Sequence, residues 1–196
     1  MSILALTSNT LTGTAGAGQI EYDGQFYGTD SNASRAQLQR ITQGTSVAST
    51  SGTSIDFTSL PSWVKRITVM FSGVSTSGSS SWQIRLGTSG GVEATGYSSA
   101  SMYCSLSGLN AVNSTTGFQF HNIAAGYNFN GSMTITNLTS NTWTETGSVS
   151  NTTGGDFMYF SSGSKTLSGT LDRVRITTVN GTDTFDAGTV NILYEG

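Results

Sequence analysis

The feature that most constrains this chain is an alternation of apolar and polar residues with period two, repeated from about residue 51 to the C-terminus. Successive side chains of a β-strand point to opposite faces, so such alternation describes a strand with one face buried. Lys65-Arg66-Ile67-Thr68-Val69-Met70-Phe71 sets Ile67, Val69 and Phe71 on one face, and Trp82, Ile84 and Leu86 share another. The same pattern appears at Met102-Cys104-Leu106, Phe118-Phe120, Met133-Ile135, Val174-Ile176 and Val190-Ile192-Tyr194. Turn-forming pairs such as Ser77-Gly78, Asn130-Gly131, Gly154-Gly155 and Asn180-Gly181 separate these runs. About nine or ten short strands with no long helix predict an all-β fold, an antiparallel β-sandwich of jelly-roll-like form. No fixed period suggests a propeller or a solenoid.

The first fifty residues read differently. Met1 to Gly18 mixes small and hydroxylated residues with glycines at 13, 16 and 18, as an extended tail would. Asp23-Gly24, flanked by Ile20, Tyr22, Phe26 and Tyr27, predicts a small hairpin. Ser34 to Ile41 is the one stretch with a helical case, resting on Leu38, Ile41 and a Ser cap. Gly44 to Gly52 reads as a linker. The expected organisation is an extended N-terminal attachment arm over 1–50 and a sandwich domain over 51–196. The arm is too poor in apolar residues to form a core of its own. Ile20, Tyr22, Phe26 and Tyr27 are therefore expected to dock on another subunit or another component of an assembly.

Composition narrows the function. Only 10% of the residues are charged and the net charge is −3, while about a third are Ser or Thr. Hydroxyls and amides, rather than charge, must keep the surface wetted. Scattered basic residues do not form the cationic patch that nucleic acid demands. The longest apolar runs fall far short of a bilayer span, and Met1 to Leu6 lacks the basic start and apolar core of a secretory signal, so synthesis in the cytoplasm is expected. The single cysteine, Cys104, reads as a small buried hydrophobe.

Motifs for chemistry are sparse. His121 is the only histidine and cannot build a multi-histidine metal site, and no Gly-x-Ser-x-Gly elbow accompanies it. Asp183 and Asp186 are the best candidates for a hard cation, without EF-hand spacing to support them. Glu93, Glu145, Asp156 and Asp172 offer carboxylates, but nothing in the sequence selects a catalytic pair. Asp172, among arginines, reads as a partner in an ion pair. No catalytic, metal or cofactor-binding residue is assigned, and the chain reads as a non-enzyme. Aromatic rings stack on sugars, so Trp143, Tyr97 and Tyr127 are the candidate glycan contacts, whereas Trp82 reads as core and Trp63 as a lid on one end.

Two stretches resemble proteins of a known kind. Gly18-Gln19-Ile20-Glu21-Tyr22-Asp23-Gly24-Gln25-Phe26-Tyr27-Gly28-Thr29, followed by Arg35, resembles a segment of tail-fibre and other structural proteins of tailed bacteriophages. Thr50 to Phe71, continuing to Ile84-Arg85-Leu86-Gly87, is similar to the opening of a β domain of phage virion proteins. The resemblance implies a virion structural protein, a short tail fibre or knob that contacts the host surface. A capsid decoration or cement protein is the alternative, and a carbohydrate-binding module a third reading. It further implies a homotrimer, attachment to other virion proteins through the arm, and contact with host surface glycan.

Overall fold

The computed structural model describes residues 17–22, 26–30, 32, 34–105, 108–151, 153–154 and 157–196. The chain divides into two compact units, Met1–Arg40 and Ile41–Gly196.

In the first unit, β1 (Ile20–Tyr22), β2 (Phe26–Thr29) and β3 (Arg35–Gln37) form a three-stranded antiparallel sheet. Tyr22 pairs with Phe26 and Ile20 with Gly28, which is the expected hairpin, although the Asp23-Gly24 turn itself lies outside the described residues. The helix expected over 34–41 is not formed. Arg35–Gln37 is instead the third strand, paired with Tyr27–Thr29, and the Leu38 N–H donates to the Phe26 carbonyl. A run of two turns has little helical stability of its own, and the backbone donors and acceptors of β2 outcompete it.

The second unit contains β4 (Ile41–Gln43), β5 (Val47–Ala48), β6 (Ser54–Phe57), β7 (Arg66–Thr76), β8 (Trp82–Thr88), β9 (Gly91–Val92), β10 (Tyr97–Ser105), β11 (Gly108–Ser114), β12 (Phe118–Phe120), β13 (Phe129–Thr139), β14 (Thr142–Asn151), β15 (Phe157–Thr166), β16 (Arg173–Thr178) and β17 (Phe185–Glu195). Nine of them make the larger sheet, in the order β11-β10-β15-β14-β13-β7-β17-β4 with β5 also on β17. The smaller sheet runs β12-β8-β16-β6, with β9 on β8. Every pairing is antiparallel. The two ends of the unit wrap together, β7 against β17 in one sheet and β8 against β16 in the other, in the nested manner of a jelly roll. The middle departs from that pattern as a β13-β14-β15 meander.

The expected boundary at residue 50 therefore shifts to 40. Ile41–Gln43 and Val47–Ala48, respectively just before and inside the anticipated linker, add to the edge of β17. Against β7, β17 itself bulges between Phe185 and Thr189, just ahead of the stretch that receives β5 and β4. Gly188 makes this bend feasible: its φ is +91°, and a Cβ there would lie 2.4 Å from the backbone of Gly73 on β7.

The core follows the alternation. Ile67, Val69, Trp82, Ile84, Leu86, Ile135, Val174, Ile176, Val190 and Ile192 are all buried between the sheets. Trp82 lies at its centre, with ring centroids 4.5 Å from Phe129, 5.8 Å from Phe71 and 6.2 Å from Phe185. Each such side chain stabilises the fold by about 1.5–3 kcal/mol through burial alone.

Candidate docking surface

The clearest functional geometry lies in the N-terminal sheet. Its register places Ile20, Tyr22, Phe26, Gly28, Ala36 and Leu38 on one face, and Glu21, Tyr27, Thr29, Arg35 and Gln37 on the other. The second face is tied by an ion pair, Arg35 Nε to Glu21 Oε2 at 2.6 Å. The first face is apolar and, among the described residues, exposed: Ile20 is 69% exposed, Leu38 47% and Phe26 45%, with Tyr22 against Phe26 at 4.9 Å between ring centroids. Of the four expected docking residues, Ile20, Tyr22 and Phe26 thus converge, while Tyr27 belongs to the opposite, polar face. Leu38 completes the patch. Counting by the helical period hid it, whereas counting by two from Ala36 finds it.

The candidate glycan contacts fare unevenly. Trp143 and Tyr97 are 3% exposed and present no ring face to a sugar. Trp143 sits on the inner face of β14, and its Thr142-Trp143-Thr144-Glu145 setting is an ordinary in-out alternation in which Glu145 also points inward. The Tyr97 hydroxyl accepts from the Leu86 N–H at 2.7 Å and donates to the Glu93 carbonyl at 3.0 Å, and burial raises its pKa. Tyr127 alone reaches the surface: it is half-buried, stacked on Phe157 at 6.0 Å, and donates to the Gly154 carbonyl. Trp63, half-buried, packs on Tyr194 at 5.8 Å.

Strand β10 turns the opposite way from its sequence reading. Tyr97, Ser99, Ser101 and Tyr103 face the interior or are the more covered set, so Met102 and Cys104 lie on the outer face and Cys104 is only half-buried. Leu106 lies outside the described residues. The inversion arises because Tyr103 anchors the strand inward, with its ring 5.7 Å from Tyr159, 5.7 Å from Phe157 and 5.2 Å from His121. On the outer face the register sets Cys104 between Leu109 and Met158, and Met102 between Ala111 and Phe160. Leu109, Met158 and Phe160 are exposed, and together these residues make a second apolar patch. Beside it a groove of about 540 Å³ is lined by Ser98, Asn113, Thr115, Ser162 and Ser164.

The carboxylates are engaged separately. Glu93 meets the buried Lys165 ammonium at 2.6 Å and accepts from Ser168; these bonds lower its pKa against the opposing effect of burial. Asp172 pairs with Arg173 at 2.7 Å. Asp156 lies outside the described residues. Asp183 accepts from the Ser80 N–H and the Asn180 amide, while Asp186 accepts from the Ser75 hydroxyl. Among the described residues no three His, Cys, Asp or Glu side chains gather as a metal site. His121 is half-buried, and burial lowers its pKa.

Glu145 is the exception that sequence reasoning did not single out. It lies on the inner face of β14, 3% exposed, opposite Ile135 on β13 and Gly163 on β15. One carboxylate oxygen accepts from the Ser161 hydroxyl at 2.7 Å, and the other, Oε2, has no partner. Burial outweighs that hydrogen bond and pushes its pKa up to about 7. Ser101 Oγ, Trp143 Nε1 and Tyr159 OH, on the same inner face, are also buried without partners.

These features define a class: an antiparallel β-sandwich with a wide, charge-poor larger sheet, preceded in the chain by a small sheet whose apolar face is exposed among the described residues. Comparison with protein-family models, curated proteins and solved structures gives no match.

Proposed function

We propose that this chain is a non-enzymatic structural component of a bacteriophage particle, a short tail fibre or knob that attaches through its N-terminal sheet and presents the sandwich outward. The observation that carries this reading is the apolar face of Ile20, Tyr22, Phe26 and Leu38. Three strands with one face uncovered are marginal in water, and a partner that covers this face completes them. The resemblance of residues 18–29 and 50–71 to phage virion proteins supports the same role. Copies meet about a symmetry axis, a threefold being the arrangement implied by that resemblance. Neutral host glycan is the ligand expected of the outward sheet. Its contact falls to the hydroxyl-lined groove of Ser98, Asn113 and Ser162 and to Tyr127, since Trp143 and Tyr97 are enclosed.

A second reading, capsid decoration, is favoured by one observation: no residue between Glu93 and Glu145 is charged. So neutral a surface suits close packing in a lattice. Immunogold labelling or particle reconstruction separates the two. Density at the tail tip supports the fibre, density between capsomers at high copy number supports decoration, and absence from purified particles defeats both. Incubation with host envelope polysaccharide tests the rest: adsorption without released reducing ends is expected, and sugar release would overturn the non-enzymatic role.

A further inference from the structure

We infer that strand β11 is a self-pairing edge, through which the larger sheet of one copy continues antiparallel into that of a second copy about a twofold axis. An edge strand carries a row of unpaired N–H and C=O groups, and folded proteins blunt such edges with short strands, charges or bulges. The other edges of this unit follow that rule. On the far side of the larger sheet, β4 and β5 are three and two residues long. In the smaller sheet β12 has three residues and β9 two, while β6 has four and holds Asp56 in an ion pair with Arg175 at 2.7 Å.

Strand β11 has none of these protections. It runs for seven residues, Gly108–Ser114, in unbroken register with β10 and without a proline or a charge. Among the described strands it pairs on one side only. Its first residues are exposed, and the exposed Leu109 links it to the patch of Met158 and Phe160. The occupant is a second copy because pairing identical strands brings no like-charge repulsion here, where neither β11 nor β10 holds a charged residue. A twofold centred on Ala111 uses the strand from Leu109 to Asn113. It sets Ala111 opposite Ala111, the smallest contact available, and Leu109 opposite Asn113. This contact is separate from the N-terminal face and does not depend on it.

The test uses the full-length chain with Cys104→Ser, to remove the native thiol, and Ala111→Cys. Residues directly opposed across an antiparallel pair have Cα atoms about 4.5–5.5 Å apart, within disulfide range. Mild oxidation should give at least tenfold more covalent two-chain product than a control carrying Cys104→Ser and Ser162→Cys, on the outer face away from the edge. A yield equal to the control would overturn the inference. Hydrogen exchange in the unmodified chain provides a second measurement: β11 amides should become more protected as concentration rises, and Ala111→Lys should abolish that gain. Protection independent of concentration would also overturn it.

Discussion

The strands of the N-terminal sheet and of the sandwich both alternate apolar and polar faces, yet they resolve their apolar faces in opposite ways. In the sandwich, Ile67, Val69 and Trp82 face a second sheet and are at most 2% exposed. In the N-terminal sheet, Ile20, Phe26 and Leu38 occupy equivalent alternating positions and stay between 45% and 69% exposed. The difference teaches that alternation specifies which side of a strand is apolar, but whether that side becomes core or contact surface depends on a covering layer elsewhere in the chain. One unit supplies its own layer. The other has none among the described residues.

The largest expected effect breaks the sandwich alone. Trp82→Ala removes the ring that touches Phe71, Phe129 and Phe185, and should cost about 3–5 kcal/mol of stability. Denaturant unfolding monitored by near-UV circular dichroism measures this, and a loss under 1 kcal/mol would mean that the two sheets do not pack as described.

Next in size is a pH effect confined to the sandwich. Glu145 has a folded pKa of about 7, above its ordinary value of 4.5. Burial favours the neutral form, so the folded state holds this proton more tightly than the unfolded chain does. Its contribution is fully present below about pH 4.5 and is lost as pH rises through 7, a change of roughly 3 kcal/mol. The groups around it are Ile135, Ser161 and Gly163, and the nearest cation along β15, Lys165, is already paired with Glu93. Glu145→Gln keeps an acceptor for Ser161 without a charge. Unfolding curves at pH 5 and pH 8 should converge in that variant and remain apart in the parent.

The sandwich core was legible in the sequence because Ile67-Val69-Phe71 and Trp82-Ile84-Leu86 alternate without ambiguity. Strand β10 was not, because both of its faces carry plausible core residues, Met102 and Cys104 against Tyr97 and Tyr103. Only the clustering of Tyr103 with Tyr159 and Phe157, far away in sequence, decides between them. Pairing with the neighbouring β2 turned Arg35–Gln37 from helix into strand, and long-range pairing drew Val47–Ala48 out of the expected linker onto β17. Glu145 stood as one carboxylate among four, and its burial was hidden because a lone acidic residue amid threonines looks solvated until its strand neighbours are known. The exposed apolar face was legible for Ile20, Tyr22 and Phe26, which flank one turn, and hidden for Leu38, which needs the third strand.

The smaller effects sharpen the comparison at the N-terminal sheet. Ile20→Ser with Phe26→Ser should reduce incorporation into particles at least tenfold, read by quantitative blotting of purified virions, with the sandwich melting temperature unchanged. Smallest of all, Arg35→Ala removes the ion pair with Glu21 and should weaken the N-terminal sheet by about 0.2–1 kcal/mol, seen as faster amide exchange in Tyr27–Thr29.

The most direct measurement of the proposed division of labour is deletion of residues 1–40, which removes the whole N-terminal sheet and spares Ile41–Gln43 on β17. The shortened chain should keep the cooperative unfolding and melting temperature of the parent sandwich and be absent from particles assembled in its presence. A truncated chain that fails to fold, or one that incorporates as fully as the parent, would contradict the account.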